Sequence, residues 1–243
     1  MPRALRQIST VAALLIAAAA IPAMAGDAPA EGGGGGAPSL LTMIHHGGII
    51  AYLLIALSLL SYSLALQFVF TIKRDILVPE GLVDEIHQAF QEGVTEESIE
   101  QARNVVAGDN SMLGNVVAAA LDRKDFGYDA MREAAEQVGA AEANKYSSKV
   151  AWLSMFASSA TLIGLLGTVV GIIRAFLAMG NSTPDPSKLS LAIGEALVCT
   201  AIGLIIAVGT LYFFFWLRNR VNACALDTAA LANEVLDYFR PQK

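Results

Sequence analysis

The 243-residue chain is hydrophobic and weakly charged: 55% of its residues are hydrophobic, 16% are charged, and its formal net charge is −6. Its mean hydropathy is +0.53. This composition indicates an integral membrane protein rather than a soluble domain. The acidic balance excludes the basic surface of a nucleic-acid-binding protein. The only two cysteines, Cys199 and Cys224, are too few for a disulfide framework or a metal cluster, and no cofactor is expected.

The first 25 residues are typical of a secretory signal peptide. Arg3 and Arg6 precede the apolar run 11–21, and the sequence Ala-Met-Ala at 23–25 supplies a cleavage site of small residues. An uncleaved membrane helix is the alternative interpretation, but the apolar run is too short to cross a bilayer. The mature chain is then predicted to begin outside the membrane.

Residues 26–48 are predicted to form a glycine-rich periplasmic tether that ends in a short segment lying on the membrane surface. This segment contains the adjacent residues His45 and His46. On a helix their side chains would point about 100° apart, which is poor geometry for binding one metal ion. A surface role is therefore favoured over metal binding or pH sensing.

Three apolar stretches predict an all-α membrane protein with transmembrane helices at 49–72, 150–179 and 189–217. Six basic residues lie at the ends of these stretches: Lys73, Arg74, Lys145, Lys149, Arg218 and Arg220. The positive-inside rule then places 73–149 and the C-terminus in the cytoplasm. The turn at 180–188 and the N-terminus are placed in the periplasm.

The cytoplasmic region 73–149 is acidic, with eight Lys/Arg against fifteen Asp/Glu, and is predicted to be mostly helical. A first helix is expected to start at Pro79 and stop by Gly93. Thr95 and Ser98 resemble a capping box that opens a second helix. A break at 108–110, a helix at Met112–Leu121 and a helix from Tyr128 that continues into the second span complete this region. The tail 218–243 reads as an amphipathic helix.

The third span contains one carboxylate, Glu195, about two turns inside its start. Such a residue is expensive in a bilayer and needs a cation, water or hydrogen-bond donors, unless it is protonated. It could relay protons, or it could make a structural hydrogen bond. In an antiparallel pair of helices Glu195 and Thr168 can share a level. Arg174 could extend toward the membrane surface or pair with a carboxylate.

Small residues form one stripe on each of the last two spans. On the second span the stripe comprises Ala157, Ala160, Thr161, Gly164, Gly167, Thr168, Gly171 and Ala175, which fall within about 120° on a helical wheel. On the third it comprises Ala192, Ala196, Cys199, Thr200, Gly203, Ala207 and Thr210. Such stripes let two helix backbones approach closely, so Gly164, Gly167, Gly171 and Gly203 are predicted to pack helices. A threonine hydroxyl in a span can also donate to a carbonyl of its own helix, so these residues leave that alternative open.

Two runs on successive spans, GLLGTVVG at 164–171 and EALVCTAIGL at 195–204, together resemble the MotA/TolQ/ExbB proton channel family. The signal sequence and three spans are most similar to its ExbB/TolQ branch. Where that family often has prolines, this chain has Thr161 and Gly209. The resemblance covers 150–217 in detail and about 49–240 in layout.

The resemblance implies a ring of five subunits around a dimer of an ExbD/TolR-type single-span partner. Proton flow would then drive mechanical work on a TonB/TolA-type transducer that reaches the outer membrane. By position, Glu195 matches the family's acidic residue, and Thr168 and Thr200 match its two threonines. These three residues are the predicted ion path or partner-binding surface.

Three other function classes compete with this interpretation. An intramembrane enzyme is not supported, because the chain has no HExxH motif and no second acidic residue in its spans. The chain also has no nucleotide-binding GxxxxGK[ST] loop. A non-conducting membrane scaffold and a Na⁺-driven stator both stay open on these residues.

Overall fold

The computed structural model describes residues 48–91, 93–180 and 186–240. The predicted signal peptide at 1–25, the predicted tether with His45 and His46, and most of the predicted turn at 180–188 lie outside the described residues. Within them the chain forms α-helices and one 3₁₀ turn, without strands, so the all-α prediction is confirmed. The helices are α1 (Gly48–Thr71), α2 (Arg74–Leu77), α3 (Glu80–Phe90), α4 (Glu96–Ala107), α5 (Met112–Leu121), α6 (Tyr128–Gly180) and α7 (Pro186–Asp237).

Three of these helices, α1, α6 and α7, are long and apolar enough to cross a membrane, as predicted. Helix α1 agrees with the predicted first span to within one residue at each end. The predicted continuation of the Tyr128 helix into the second span is confirmed, because α6 runs unbroken for 53 residues. Helix α7 likewise continues from the third span into the predicted amphipathic tail. Neither Thr161 nor Gly209 interrupts its helix.

The described residues divide into two compact units. The spanning unit comprises 48–62, 154–180 and 186–212, and the charged unit comprises 63–91, 93–153 and 213–240. Helices α1, α6 and α7 each contribute residues to both.

The core of the spanning unit is made where α1, α6 and α7 meet. Its buried residues are Leu54, Ala157, Ala160, Ile206 and Ala207. A polar contact lies beside this core, since the hydroxyl of Thr210 is 3.4 Å from that of Ser61 and also donates to the carbonyl oxygen of Ile206 at 2.8 Å. Both hydroxyl groups are buried. The buried polar groups are thus satisfied within the helix bundle, as an apolar surrounding requires.

Helices α3, α4 and α5 of the charged unit begin and end where the sequence predicts, whereas α2 was not predicted. Helix α3 begins directly after Pro79, which occupies its N-cap position. The chain turns after the end of α3 at Gly93, whose φ of +105° favours glycine. The capping box at the start of α4 is confirmed: the Thr95 hydroxyl accepts from the Ser98 N–H at 3.2 Å, and the Thr95 N–H donates to the Ser98 hydroxyl at 2.8 Å. Helix α5 has the predicted bounds and is capped by Ser111.

Helix α3 packs against the C-terminal end of the chain in the charged unit. The Phe90 ring lies 5.4 Å from the Tyr238 ring and 5.5 Å from the Phe239 ring, between centroids. One imidazole nitrogen of His87 is 2.8 Å from the Tyr238 hydroxyl. Arg74 and Asp227 form an ion pair at 2.9 Å. The tail therefore packs against a helix of its own chain.

Candidate ion-path site

Glycine residues bring the second and third spanning segments into close contact. A Cβ atom added at Gly203 would lie 2.7 Å from the carbonyl oxygen of Ala160 and 3.0 Å from the Cα of Gly164. One added at Gly171 would lie 2.5 Å from the Cβ of Ala196. No side chain fits at such distances, so the absence of a Cβ sets how closely α6 and α7 approach.

Gly167 occupies the middle of the same contact, where all three spanning helices meet. A Cβ at this position would lie 2.9 Å from the Cβ of Cys199 on α7 and 3.3 Å from a methyl carbon of Ile50 on α1. Gly164, Gly167, Gly171 and Gly203 therefore all sit at the helix contact. The pairing also fixes the register, with Gly171 opposite Ala196 and Gly164 opposite Thr200.

A cleft of about 200 Å³ opens beside this contact within the spanning unit. It is lined by Ile50, Gly167, Val170, Gly171, Arg174, Ala175, Ala192, Glu195, Ala196 and Cys199. Eight of these residues are glycine, alanine, cysteine or aliphatic. The two charged side chains, one acidic and one basic, are Glu195 and Arg174.

Glu195 is half-buried, and Arg174 is exposed. Their level follows from the helix register: Glu195 precedes Ala196, which lies opposite Gly171, and Arg174 follows Gly171 by three residues. At 1.5 Å per residue Arg174 lies about 4.5 Å beyond Gly171 and Glu195 about 1.5 Å beyond Ala196, so Arg174 is about 3 Å nearer the 181–185 end than Glu195. The two side chains of opposite charge thus share one cleft, with Arg174 nearer that end.

Both predicted threonines use their hydroxyl groups in hydrogen bonds to helix carbonyls. Thr168 is buried and donates to the carbonyl oxygen of Leu165 at 2.7 Å, within its own helix. Thr200 donates to the carbonyl oxygen of Gly164 at 2.7 Å, from one spanning segment to the other. Neither residue lines the cleft. Thr168 precedes Gly171 by three residues, and Glu195 lies one residue from Ala196 on the other side of this level, so Thr168 is about four residues, or one helical turn, deeper than Glu195 rather than at the same level.

Seven of the ten cleft residues are not among the site residues predicted from the sequence, and Ile50 and Cys199 are two of them. Ile50 comes from the first span, and nothing in its sequence context links it to the later hairpin. Cys199 belongs to the small-residue stripe of α7, four residues after Glu195, so helical spacing places it on the same side. The described residues contain no group of three or more His, Cys, Asp or Glu side chains placed to hold a metal ion.

The chain combines three apolar helices, a close glycine contact between the second and third spanning segments, and a cleft with two charged side chains. These features define a membrane subunit of the type that the two sequence runs predict. The model of the MotA/TolQ/ExbB proton channel family matches residues 108–229, which is half of the chain. The chain therefore belongs to this family, and its resemblance to the ExbB/TolQ branch is confirmed.

Similar proteins carry names from the same branch. A putative biopolymer transport protein, ExbB-like 1, of Synechocystis is 27% identical over 79% of this chain and 72% of its own length. Biopolymer transport protein ExbB of Xanthomonas campestris is 34% identical over 49% of this chain and 46% of its own length. The Tol-Pal system protein TolQ of Haemophilus influenzae is 36% identical over 38% of this chain and 41% of its own length.

The alignments with ExbB of Xanthomonas campestris and TolQ thus cover less than half of each relative. The family and these relatives consist of non-enzymatic transport and transducer subunits, which agrees with the prediction that the chain is not an enzyme. The chain is accordingly a membrane protein and a subunit of an energy-transducing motor.

Proposed function

We propose that this chain is the proton-conducting stator subunit of an ExbB/TolQ-type motor in the bacterial inner membrane. One observation carries the proposal: Glu195, on an apolar spanning segment, lines a cleft instead of facing only helix contacts. A carboxylate at this depth is costly, and residues of this kind mark ion pathways and proton relays. Family membership supports the proton as the ion.

The proposed assembly is a ring of five copies around a dimer of an ExbD/TolR-type single-span partner. The large apolar surface of the single chain supports association in the membrane, since Leu162 and Leu177 are each 66% exposed and Phe176 is 57% exposed. In the ring, side chains of this kind would contact lipid or neighbouring copies. A TonB/TolA-type transducer receives the resulting mechanical work.

The three predicted site residues take different parts in this proposal. Glu195 accepts and releases protons in the cleft. Thr168, one helical turn deeper, continues the path from Glu195 toward the other side of the membrane. Thr200 assists by holding the two segments together through its hydrogen bond to Gly164, which keeps the cleft walls in register.

The proposed topology completes this picture. A signal peptide at 1–25 directs the N-terminus to the periplasm, the spans are 49–72, 150–179 and 189–217, and the charged regions 73–149 and 218–243 lie in the cytoplasm. Each proton that crosses then releases about 2.3 kcal/mol per 100 mV of membrane potential. Several protons per mechanical step supply enough free energy to move one component against another.

Proton flux in proteoliposomes tests the proposal. The chain is reconstituted with its single-span partner, and a pH-sensitive dye reports proton entry under an imposed potential. Glu195→Gln is expected to abolish the flux while the ring still assembles, as measured by native mass spectrometry. Glu133→Gln, which alters an exposed carboxylate of the charged unit, is the matched control and should conduct like wild type.

The same experiment separates the competing functions. A non-conducting scaffold predicts no partner-dependent flux in wild type and no effect of Glu195→Gln. A Na⁺-driven stator predicts flux that depends on a sodium gradient and persists when the pH gradient is collapsed.

A further inference from the structure

We infer that Arg174 makes the cleft selective for protons by excluding metal cations such as Na⁺ from Glu195. This inference rests on the proposed function, because it assigns the ion selectivity of the same site to a second side chain. The observation behind it is that a guanidinium and a carboxylate line one small cleft whose other walls carry no oxygen-bearing side chains.

The cleft offers few oxygen ligands for a metal cation. A desolvated metal cation needs several oxygen atoms around it, as selectivity filters provide with rings of carbonyl or carboxylate groups. Among the lining residues only Glu195 has side-chain oxygen atoms. The nearest hydroxyl groups identified from the sequence, on Thr168 and Thr200, lie outside the lining and donate to helix carbonyls. Glu195 alone therefore provides two of the oxygen ligands that such an ion requires.

The positive charge of Arg174 also opposes the entry of cations. An arginine side chain stays protonated in proteins, so Arg174 contributes a fixed positive charge to the cleft. It lies about 3 Å nearer the 181–185 end than Glu195, so a cation that enters the cleft from that end comes within reach of the guanidinium as it approaches the carboxylate. Arginine side chains in narrow pores act as electrostatic barriers to cations in this way.

A proton differs from a metal cation because it forms a covalent bond. In the uptake step an O–H bond of hydronium breaks, an O–H bond forms on a carboxylate oxygen of Glu195, and a water molecule is left. This bond needs a single oxygen atom and no cage of ligands. The positive charge of Arg174 opposes both ions, but only the proton gains a covalent bond on arrival. The positive charge of Arg174 therefore excludes the metal cation, which interacts weakly with the carboxylate, but not the proton, which forms a covalent bond with it.

The test is uptake of radioactive sodium into proteoliposomes that hold the chain and its partner, measured alongside proton flux. Wild type is expected to take up no more sodium than Glu195→Gln. Arg174→Gln and Arg174→Met should both admit several times more sodium, and sodium should then compete with proton flux. Arg174→Lys keeps the charge and should keep the exclusion. Lys149→Gln, which removes a cation outside the cleft, is the matched control and should behave like wild type.

The outcomes separate this inference from the proposed function. If proton flux depends on Glu195 but Arg174→Gln and Arg174→Met still exclude sodium, the role of Arg174 is wrong and the proposed function stands. Sodium uptake by the wild-type chain equally overturns the inference. If no proton flux depends on Glu195, the proposed function fails first. Because Arg174 is exposed, its replacement leaves no buried cavity, and ring assembly is checked for both variants.

Discussion

The hydroxyl of Thr200 donates a hydrogen bond of 2.7 Å to the carbonyl oxygen of Gly164, joining the second and third spanning segments directly. The contact is possible because Gly164 has no side chain: a Cβ there would lie 3.3 Å from the Cα of Thr200 and the same distance from the Cα of Gly203. Close backbone approach and an interhelical hydrogen bond occur at the same place. This arrangement fixes the register that brings Glu195 and Arg174 into one cleft.

Replacing Thr200 with valine removes this hydrogen bond and keeps the side-chain shape. The expected cost is about 1 kcal/mol of the free energy of unfolding, the usual value for interhelical hydrogen bonds in membranes. This loss is measured by unfolding the protein in a mild detergent with increasing amounts of a denaturing detergent. Thr161→Val is the matched control, because that hydroxyl bonds its own helix at the Ala157 carbonyl. Equal losses for the two variants would contradict the special position of Thr200.

Gly203→Ala tests the helix contact itself. The added methyl group would lie 2.7 Å from the Ala160 carbonyl oxygen, which is backbone and cannot move aside easily. Overpacking of this kind costs about 1–3 kcal/mol, and the ring should assemble less stably. Gly194→Ala on the same helix is the control, since nothing lies within 4 Å of its added Cβ. Alanine at that position should leave the free energy of unfolding unchanged or raise it by up to about 1 kcal/mol. Assembly after detergent extraction, measured by size-exclusion chromatography, distinguishes the two.

Much of the fold is predictable because the determinants are local. The capping residues Thr95 and Ser111, the break at 108–110 and the long apolar stretches all act within a few residues, and the structure reproduces them. The relative depth of the site residues in the membrane is less predictable. Counting residues from the turn put Glu195 and Thr168 at one level, whereas the packing of Gly171 against Ala196 offsets them by about one helical turn.

The candidate site was predictable only in part for the same reason. A lone acidic residue in an apolar stretch is conspicuous, so Glu195 could be singled out from the sequence. The part played by Ile50 depends on how the first span packs against the hairpin, which local patterns do not encode. Arg174 is visible in the sequence as a charge near the end of a span, but its placement in the same cleft as Glu195 depends on helix register, which local sequence patterns do not determine.

Phe90→Ala should weaken the packing of α3 against the C-terminal end of the chain. Phe90 is 2% exposed and contacts the rings of Tyr238 and Phe239, so its loss leaves a cavity that costs about 3–5 kcal/mol. Amide hydrogen exchange over 232–239 is expected to accelerate. Phe126→Ala is the control, since Phe126 is 74% exposed. Unchanged exchange in Phe90→Ala would show that the end of the chain is held by other contacts.

Cys224 provides a pH-dependent prediction in the charged unit. Burial raises the pKa of its thiol above the ordinary value, so the folded protein retains this proton more strongly than the unfolded chain. Its contribution to stability is therefore fully present below about pH 8.5 and is lost as the pH rises through the range above it. In a Cys199→Ser background, iodoacetamide should modify Cys224 much more slowly in folded than in denatured protein at mildly alkaline pH. Equal rates would contradict its burial.

The most direct test of the central claim is proton flux through the reconstituted chain and its single-span partner, comparing wild type with Glu195→Gln at equal ring content. Glu195 is expected to be indispensable, so the variant should assemble normally and conduct no protons above empty liposomes. Equal flux in the two proteins would contradict the account and reduce Glu195 to a structural role in the cleft.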